Sequence, residues 1–151
     1  MSAFDPTAFL NATVDAPLER RAPLPEGDYT AIIGEPAVRV AQGRKDPSQT
    51  YTFLDVPLTV QVPAELQNDH DLPPTISMRD SMFLDVAESG GMDLRPGKNS
   101  GLRRYREALG MNKAGQPFSI AQMQGQALRV KVSHELYNEQ VQEKVGGIAA
   151  L

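Results

Sequence analysis

Tyr51-Thr52-Phe53-Leu54-Asp55-Val56-Pro57-Leu58-Thr59-Val60-Gln61-Val62 is the stretch on which the fold turns. Leu54, Val56, Leu58, Val60 and Val62 share one parity, and successive side chains of a strand point to opposite faces, so all five are expected to face a core. Tyr51 and Phe53 have the other parity, beside Asp55, Thr59 and Gln61. Unless a bulge at Pro57 shifts the register, two aromatic rings stand on the solvent side.

Working outward, Thr75–Val86 alternates in the same way. Ile76, Met78, Met82, Leu84 and Val86 point in with Asp80 as the exception, while Arg79, Ser81, Phe83 and Asp85 point out. Upstream, Pro25-Glu26-Gly27-Asp28 is a turn signal opening a strand over Tyr29–Gly34, and Ala37–Ala41 alternates with Val38 and Val40 on one face and Arg39 on the other. Gln42–Gln49 reads as a hairpin loop and Pro63–Pro74 as a polar, acidic loop. Downstream of a Gly-rich segment, Ser89–Lys98, the spacing of Leu102, Tyr105 and Leu109 predicts a helix capped by Asn99 or Ser100, with Gly110 just past its end. Pro117–Gln124 reads as a second short helix opened by Ser119. Gln126–His134 alternates with Leu128, Val130 and Val132 inward and Arg129 and Lys131 outward, and a last strand, Gln140–Val145, precedes a Gly-Gly turn and an apolar end.

The expectation is a mainly β chain: an OB-like five-stranded barrel with a helix between strands 3 and 4. A β-sandwich or jelly roll with one inserted helix fits the same spacing. Residues 1–28, with Pro6, Pro17, Pro23 and Pro25, read as an N-terminal arm in which no long regular element forms; Phe9 and Leu10 are its candidates for docking on the core or on a neighbouring subunit. Residues 29–151 read as a single β-rich domain, a size consistent with the 151-residue length. Twelve Gly and twelve Pro suit a turn-rich β protein.

Composition excludes several classes. With no Cys, a disulfide scaffold, a thiolate metal site and Cys catalysis are ruled out. No apolar run approaches the roughly 18 residues of a membrane span, and Met1–Leu10 lacks the pattern of a signal peptide, so a cytoplasmic or virion location is expected. There is no phosphate loop, no zinc-protease motif and no nucleophile elbow. Of the two histidines, His70 lies in an acidic loop between Asp69 and Asp71, adjacent residues that point apart, and His134 lies at a strand end. No enzyme activity, cofactor or metal site is expected.

The charge is unevenly placed. The net charge of −4 divides into −1 over residues 1–45, −8 over residues 46–93, where Arg79 is the one basic residue, and +5 over residues 94–151. Arg95, Lys98, Arg103, Arg104, Arg106 and Lys113 form a basic stripe opposed by Glu107 alone. The acidic middle and basic third either neutralise each other within the fold or leave a local field that attracts phosphate over ~8–10 Å.

Binding is the chemistry these residues favour. On the parities above, the outer sheet face carries Arg39, Tyr51, Phe53, Arg79, Phe83, Arg129 and Lys131, and the basic helix with Arg103 and Arg104 extends the track. Rings interleaved with guanidinium groups suit a single strand of nucleic acid, because each base stacks on a ring while the cations hold phosphates without reading sequence. The competing reading is that Tyr51, Phe53 and Phe83 fill a second small core under the arm or the helix.

The runs Leu24-Pro25-Glu26-Gly27-Asp28-Tyr29, Gly97-Lys98-Asn99 followed by Leu102–Asn112, and Met123–Val132 followed by a strand that includes Gln142–Val145, together resemble a family of small bacteriophage proteins. Several of its members look like OB-fold single-stranded DNA-binding proteins of replication and recombination gene clusters. The resemblance spans roughly Pro23–Val145 and implies an OB barrel, single-stranded DNA held across the sheet face, and dimers or higher homo-oligomers. A second expectation, from a different class, is a virion structural protein: a capsid cement or decoration protein whose partner is the major capsid protein. The proline-rich arm and apolar C-terminal end suit the subunit contacts that such a role needs.

Overall fold

The protein, described by a computed structural model over residues 3–151, is built on one antiparallel sheet of six strands with three short helices. The first two residues of the expected arm lie outside the described residues. In chain order the elements are α1 (Pro6–Asn11), β1 (Gly27–Ile33), β2 (Ala37–Gln42), β3 (Thr50–Gln61), α2 (Ala64–His70), β4 (Thr75–Leu84), α3 (Ser100–Ala108), a single 3-10 turn (Ile120–Met123), β5 (Ala127–Tyr137) and β6 (Gln140–Ala149).

β3 is the spine. Along one edge it pairs with β4 without a slip from Thr52↔Leu84 to Gln61↔Thr75, so Pro57 carries no bulge and the parity of Tyr51 and Phe53 is kept. Along the other edge two strands share it: β2 takes the first half, from Gln42↔Thr50 to Ala37↔Asp55, and β1 takes the second, from Ile33↔Leu58 to Ala31↔Val60. The chain changes direction between them at Gly34, whose N–H donates to the Pro57 carbonyl at 2.8 Å. A Cβ at Gly34 would sit 3.0 Å from Pro57 Cγ, so the close approach calls for glycine. Beyond β1 the sheet continues through β5 to β6.

The inward rows meet as the alternation requires. Tyr29, Ala31 and Ile33 of β1, Leu54, Val56, Leu58 and Val60 of β3, Ile76 of β4, and Leu128, Val130 and Val132 of β5 form one buried cluster with Leu102 and Tyr105 of α3, Leu24 and Met123. Full burial of each Leu, Val or Ile side chain contributes roughly 1.5–3 kcal/mol against leaving it in water. The sheet is not closed into a barrel: β4 and β6 approach each other, no ladder joins them, and α3 packs against both. The expected mainly β chain is found, but in place of the OB-like five-stranded barrel it forms a six-stranded open sheet, because the Gly34–Pro36 bend splits the first strand in two and a helix packs at the margin between β4 and β6.

Other expectations shift for local reasons. The Pro63–Pro74 segment is not a plain loop: Ala64-Glu65-Leu66-Gln67 are good helix formers after Pro63, and α2 forms there with Leu66 against the core and Asp71 in the left-handed conformation at its end. The arm holds α1, six residues long, started by Asp5, whose side chain accepts from the Thr7 and Ala8 N–H groups, with Pro6 in the first turn. Phe9 and Leu10 do not dock on the core; both are exposed, and Phe9 packs against Phe4. Val38 and Val40 share the parity of Leu54 but remain exposed, because β2 lies at the sheet margin with nothing over it. Val86 lies past the end of β4 and is 51% exposed rather than inward.

β6 runs straight through the expected Gly146-Gly147 turn to Ala149. A register shift between Lys131 and Val132 leaves Gly146 as the extra residue of a bulge, and a Cβ there would collide with Ser133 Oγ. α3 ends as expected: Gly110 takes φ 70°, its N–H donates to the Glu107 carbonyl at 3.1 Å and that of Met111 to the Arg106 carbonyl at 2.7 Å. Asn99 precedes the helix but does not cap it with its side chain, which is used elsewhere. Ser119 makes a capping box with Gln122 over a turn shorter than the expected helix. No helix among the described residues is long and apolar enough to cross a membrane.

Candidate nucleic-acid interface

The outward row at one end of β2, β3 and β4 is set by the ladders: Arg39 stands opposite Phe53, and Phe53 opposite Phe83. The Phe53 and Phe83 ring centroids are 4.6 Å apart with 36° between the planes, and Tyr51 meets Phe83 edge-on at 6.1 Å. The Arg39 guanidinium lies 4.4 Å from the Phe53 centroid. Phe53 is therefore the half-buried centre of the cluster, while Phe83 at 63% and Tyr51 at 42% exposure present ring surface to solvent. The arm and the helices leave these rings uncovered, so they do not form a second closed core.

One register step along, Asp55 anchors the row. It accepts from Arg39 Nε at 2.7 Å and from Ser81 Oγ at 2.6 Å. The Ser81 hydroxyl first and the Arg39 guanidinium second hold its carboxyl below the usual carboxylate range, against the opposing effect of burial. Sequence reasoning assigned Arg39 to phosphate and gave Asp55 no role. The structure instead commits Arg39 to an ion pair and a ring, and the signal was available, since Asp55 shares the parity of Phe53 two residues away. Arg79, opposite Pro57, makes no ion pair among the described residues and lies four residues, roughly 13 Å at ~3.3 Å per residue, from Phe83.

The remaining predicted residues are placed apart. Arg129 and Lys131 face outward on β5, opposite Thr30 and Asp28 of β1. Both lie beyond the Ala31↔Val60 pair of the β1–β3 ladder, so at least seven residues of β3, roughly 23 Å at ~3.3 Å per residue, separate this pair from Phe53. Arg103 and Arg104 diverge on α3. Arg103 faces a cleft against the preceding loop, whereas Arg104 lies beside the end of β6, near Ile148 and Ala149.

That loop is tied to the end of β4 by Asn99, expected from the sequence as a helix cap, and by Asp85, to which the sequence gave no such role. Asn99 Oδ1 accepts from the Asp85 N–H at 2.8 Å, Asn99 Nδ2 donates to the Asp85 and Asp93 carbonyls at 3.0 Å each, and the Asn99 N–H donates to Asp85 Oδ2 at 2.7 Å. Asp93 takes both Nε and an Nη of Arg95, and this pairing together with the Arg95 backbone N–H holds its carboxyl down at about 2. Among the described residues no group of three or more His, Cys, Asp or Glu gathers as a metal site; His134 instead donates Nε2–H to the Leu24 carbonyl at 2.7 Å.

No protein-family model matches this sequence, and no curated protein matches it.

Proposed function

We propose that the protein binds single-stranded DNA without reading its sequence. The observation that carries the reading is the Tyr51–Phe53–Phe83 cluster on the outer face of β3 and β4, with ring surface of Tyr51 and Phe83 exposed and Arg79, free of any ion pair among the described residues, on the same face four residues from Phe83. Bases stack on such rings for roughly 1–3 kcal/mol each, whatever their identity. The connectivity supports an open OB-type arrangement: a bent first strand (β1 and β2) pairs with β3 and β5, β4 follows β3, and α3 lies between β4 and β5 in sequence while packing at the open margin. With the resemblance to phage replication and recombination proteins, this makes the expected setting the cytoplasm of an infected host and the expected form a homo-oligomer.

Titration of a fluorescent oligothymidylate with the full chain at two salt concentrations, with duplex as control, tests the reading. Strand-selective binding whose Kd rises steeply with salt is the expected result, since released counterions drive such association. Absence of binding at micromolar protein overturns it.

The exposed arm favours a second reading, a virion structural protein held by the major capsid protein. Phe4, Phe9, Leu10, Val14 and Leu18 all stand in solvent, a poor arrangement for an isolated chain and a suitable one for a neighbour's groove. Its test is the presence of the chain in purified particles, with the arm protected there from cleavage at Arg20 and Arg21.

A further inference from the structure

The basic stripe of the sequence folds into a cleft that the aromatic cluster does not explain. Between the Met92–Asn99 loop and α3 lies a cavity of about 250 Å³ whose walls carry Arg95, Lys98, Arg103 and Arg106. Arg95 is spent on Asp93, the one carboxylate in the lining. Arg106 is held in place by the Met111 carbonyl, at 3.0 and 3.2 Å from two of its nitrogens, and by the Phe118 ring at 4.4 Å; neither partner cancels its charge. Arg103 has only a loose, exposed pairing with Glu107 at 3.6 Å, and Lys98 has no ion pair among the described residues. Lys98 and Arg106 are therefore left without an ion pair and Arg103 with only a loose one, in a cleft whose lining carries four cations against the single carboxylate of Asp93, and that excess of positive charge favours an anion there.

The cleft is also joined to the aromatic cluster. Phe83 stands near the end of β4 and Asp85 just past it, two residues or roughly 7 Å on at ~3.3 Å per residue. The carboxylate of Asp85 accepts from the N–H of Asn99, the neighbour of Lys98. The clamp between Asp85 and Asn99 fixes the loop at the end of the strand and turns the Asp85 carboxylate to the Asn99 N–H.

We infer that this cleft is a phosphate subsite, in which Lys98, Arg103 and Arg106 hold the backbone of a nucleic-acid strand that leaves the rings at Phe83 and crosses the end of β4. The inference rests on the proposed single-strand binding and gives the strand its direction, away from the distant Arg129 and Lys131. Arg106 is the pre-set donor, its guanidinium immobilised before the ligand arrives, and Lys98 and Arg103 close on the phosphate from the exposed side.

The test compares wild type, Lys98→Ala/Arg103→Ala, Lys98→Arg/Arg103→Lys and Phe83→Ala, each as the full chain, on oligothymidylates of about 4 and about 16 nucleotides, the range of sites known for such domains. The double-alanine variant is expected to lose affinity for the longer strand and to lower the slope of log Kd against log salt by about 1.4, ~0.7 for each phosphate left without its cation. The charge-conserving variant is expected to restore both, and Phe83→Ala to weaken binding of either length. If the double-alanine variant binds the longer strand as wild type does while Phe83→Ala fails to, the cleft is off the path and single-strand binding still stands. If wild type binds neither length, both readings fall together. The Lys98 and Arg103 side chains are exposed, so an unchanged melting temperature is expected of both charge variants.

Discussion

The Tyr105 hydroxyl donates to Asp80 Oδ2 at 2.7 Å, joining the buried side of α3 to the one charged residue in the inward row of β4. Burial pushes the Asp80 carboxyl above its ordinary value, and the Tyr105 hydrogen bond and the Arg104 charge oppose that without cancelling it. The tyrosine hydroxyl is itself pushed far up, by burial first and by the Asp80 charge second.

Two substitutions at this pair are expected to act in opposite directions. Tyr105→Phe keeps the ring and strips a buried acceptor of its donor, which costs about 1–3 kcal/mol at neutral pH. Asp80→Asn keeps an acceptor for the hydroxyl and removes the buried charge, so it stabilises. The folded state binds the Asp80 proton more tightly than the unfolded state does. The cost of the charge is therefore present above the raised pKa and disappears as pH falls to the ordinary 3.8. Chemical denaturation across pH 3–7 checks this: the stability gap between Asp80→Asn and wild type should close on acidification, and a constant gap would be the contrary result.

Asp93 has the reverse sign. Held down at about 2 by Arg95, its carboxylate contributes stability above the ordinary 3.8 that is lost between 3.8 and about 2. In NMR titration the Asp93 carboxyl is expected near 2 in wild type and to move up toward its ordinary value in Arg95→Gln, stopping short of it because the residue-95 backbone N–H and the Lys98 charge remain. An unmoved titration in the variant would assign the depression to something other than the ion pair.

At the β5–β6 bulge, Gly146→Ala is expected to cost about 1–3 kcal/mol, as overpacking does, because the new Cβ meets Ser133. Gly147→Ala, whose nearest neighbour would be Lys131 Cβ at 3.9 Å, is expected to be nearly neutral. Thermal melts of the pair decide it, and equal effects would deny the bulge its role.

On the outer face, Phe83→Ala is expected to weaken single-strand binding by about 1–3 kcal/mol. Asp55→Asn frees the Arg39 guanidinium from its ion pair, so affinity should rise and the salt slope steepen by about 0.7, one further phosphate neutralised. Anisotropy titrations at several salt concentrations measure both, and a weaker Asp55→Asn would mean that Arg39 serves only to support Phe53.

Alternation alone was enough to place Leu54 through Val60, Leu128 through Val132 and the outward Tyr51, Phe53 and Phe83, because a strand pairing without a slip leaves each side chain only two directions. The end of α3 was legible for a similar reason, as the left-handed residue there is most easily a glycine. What alternation cannot carry is pairing across the chain. Only the tertiary structure decided that β3 is shared by β1 and β2, that Gly146 is a bulge rather than a turn, that Asp55 captures Arg39, and that Arg103 and Arg104 face different clefts. Each of these depends on which residue from elsewhere in the chain arrives opposite, and local periodicity is silent about that partner.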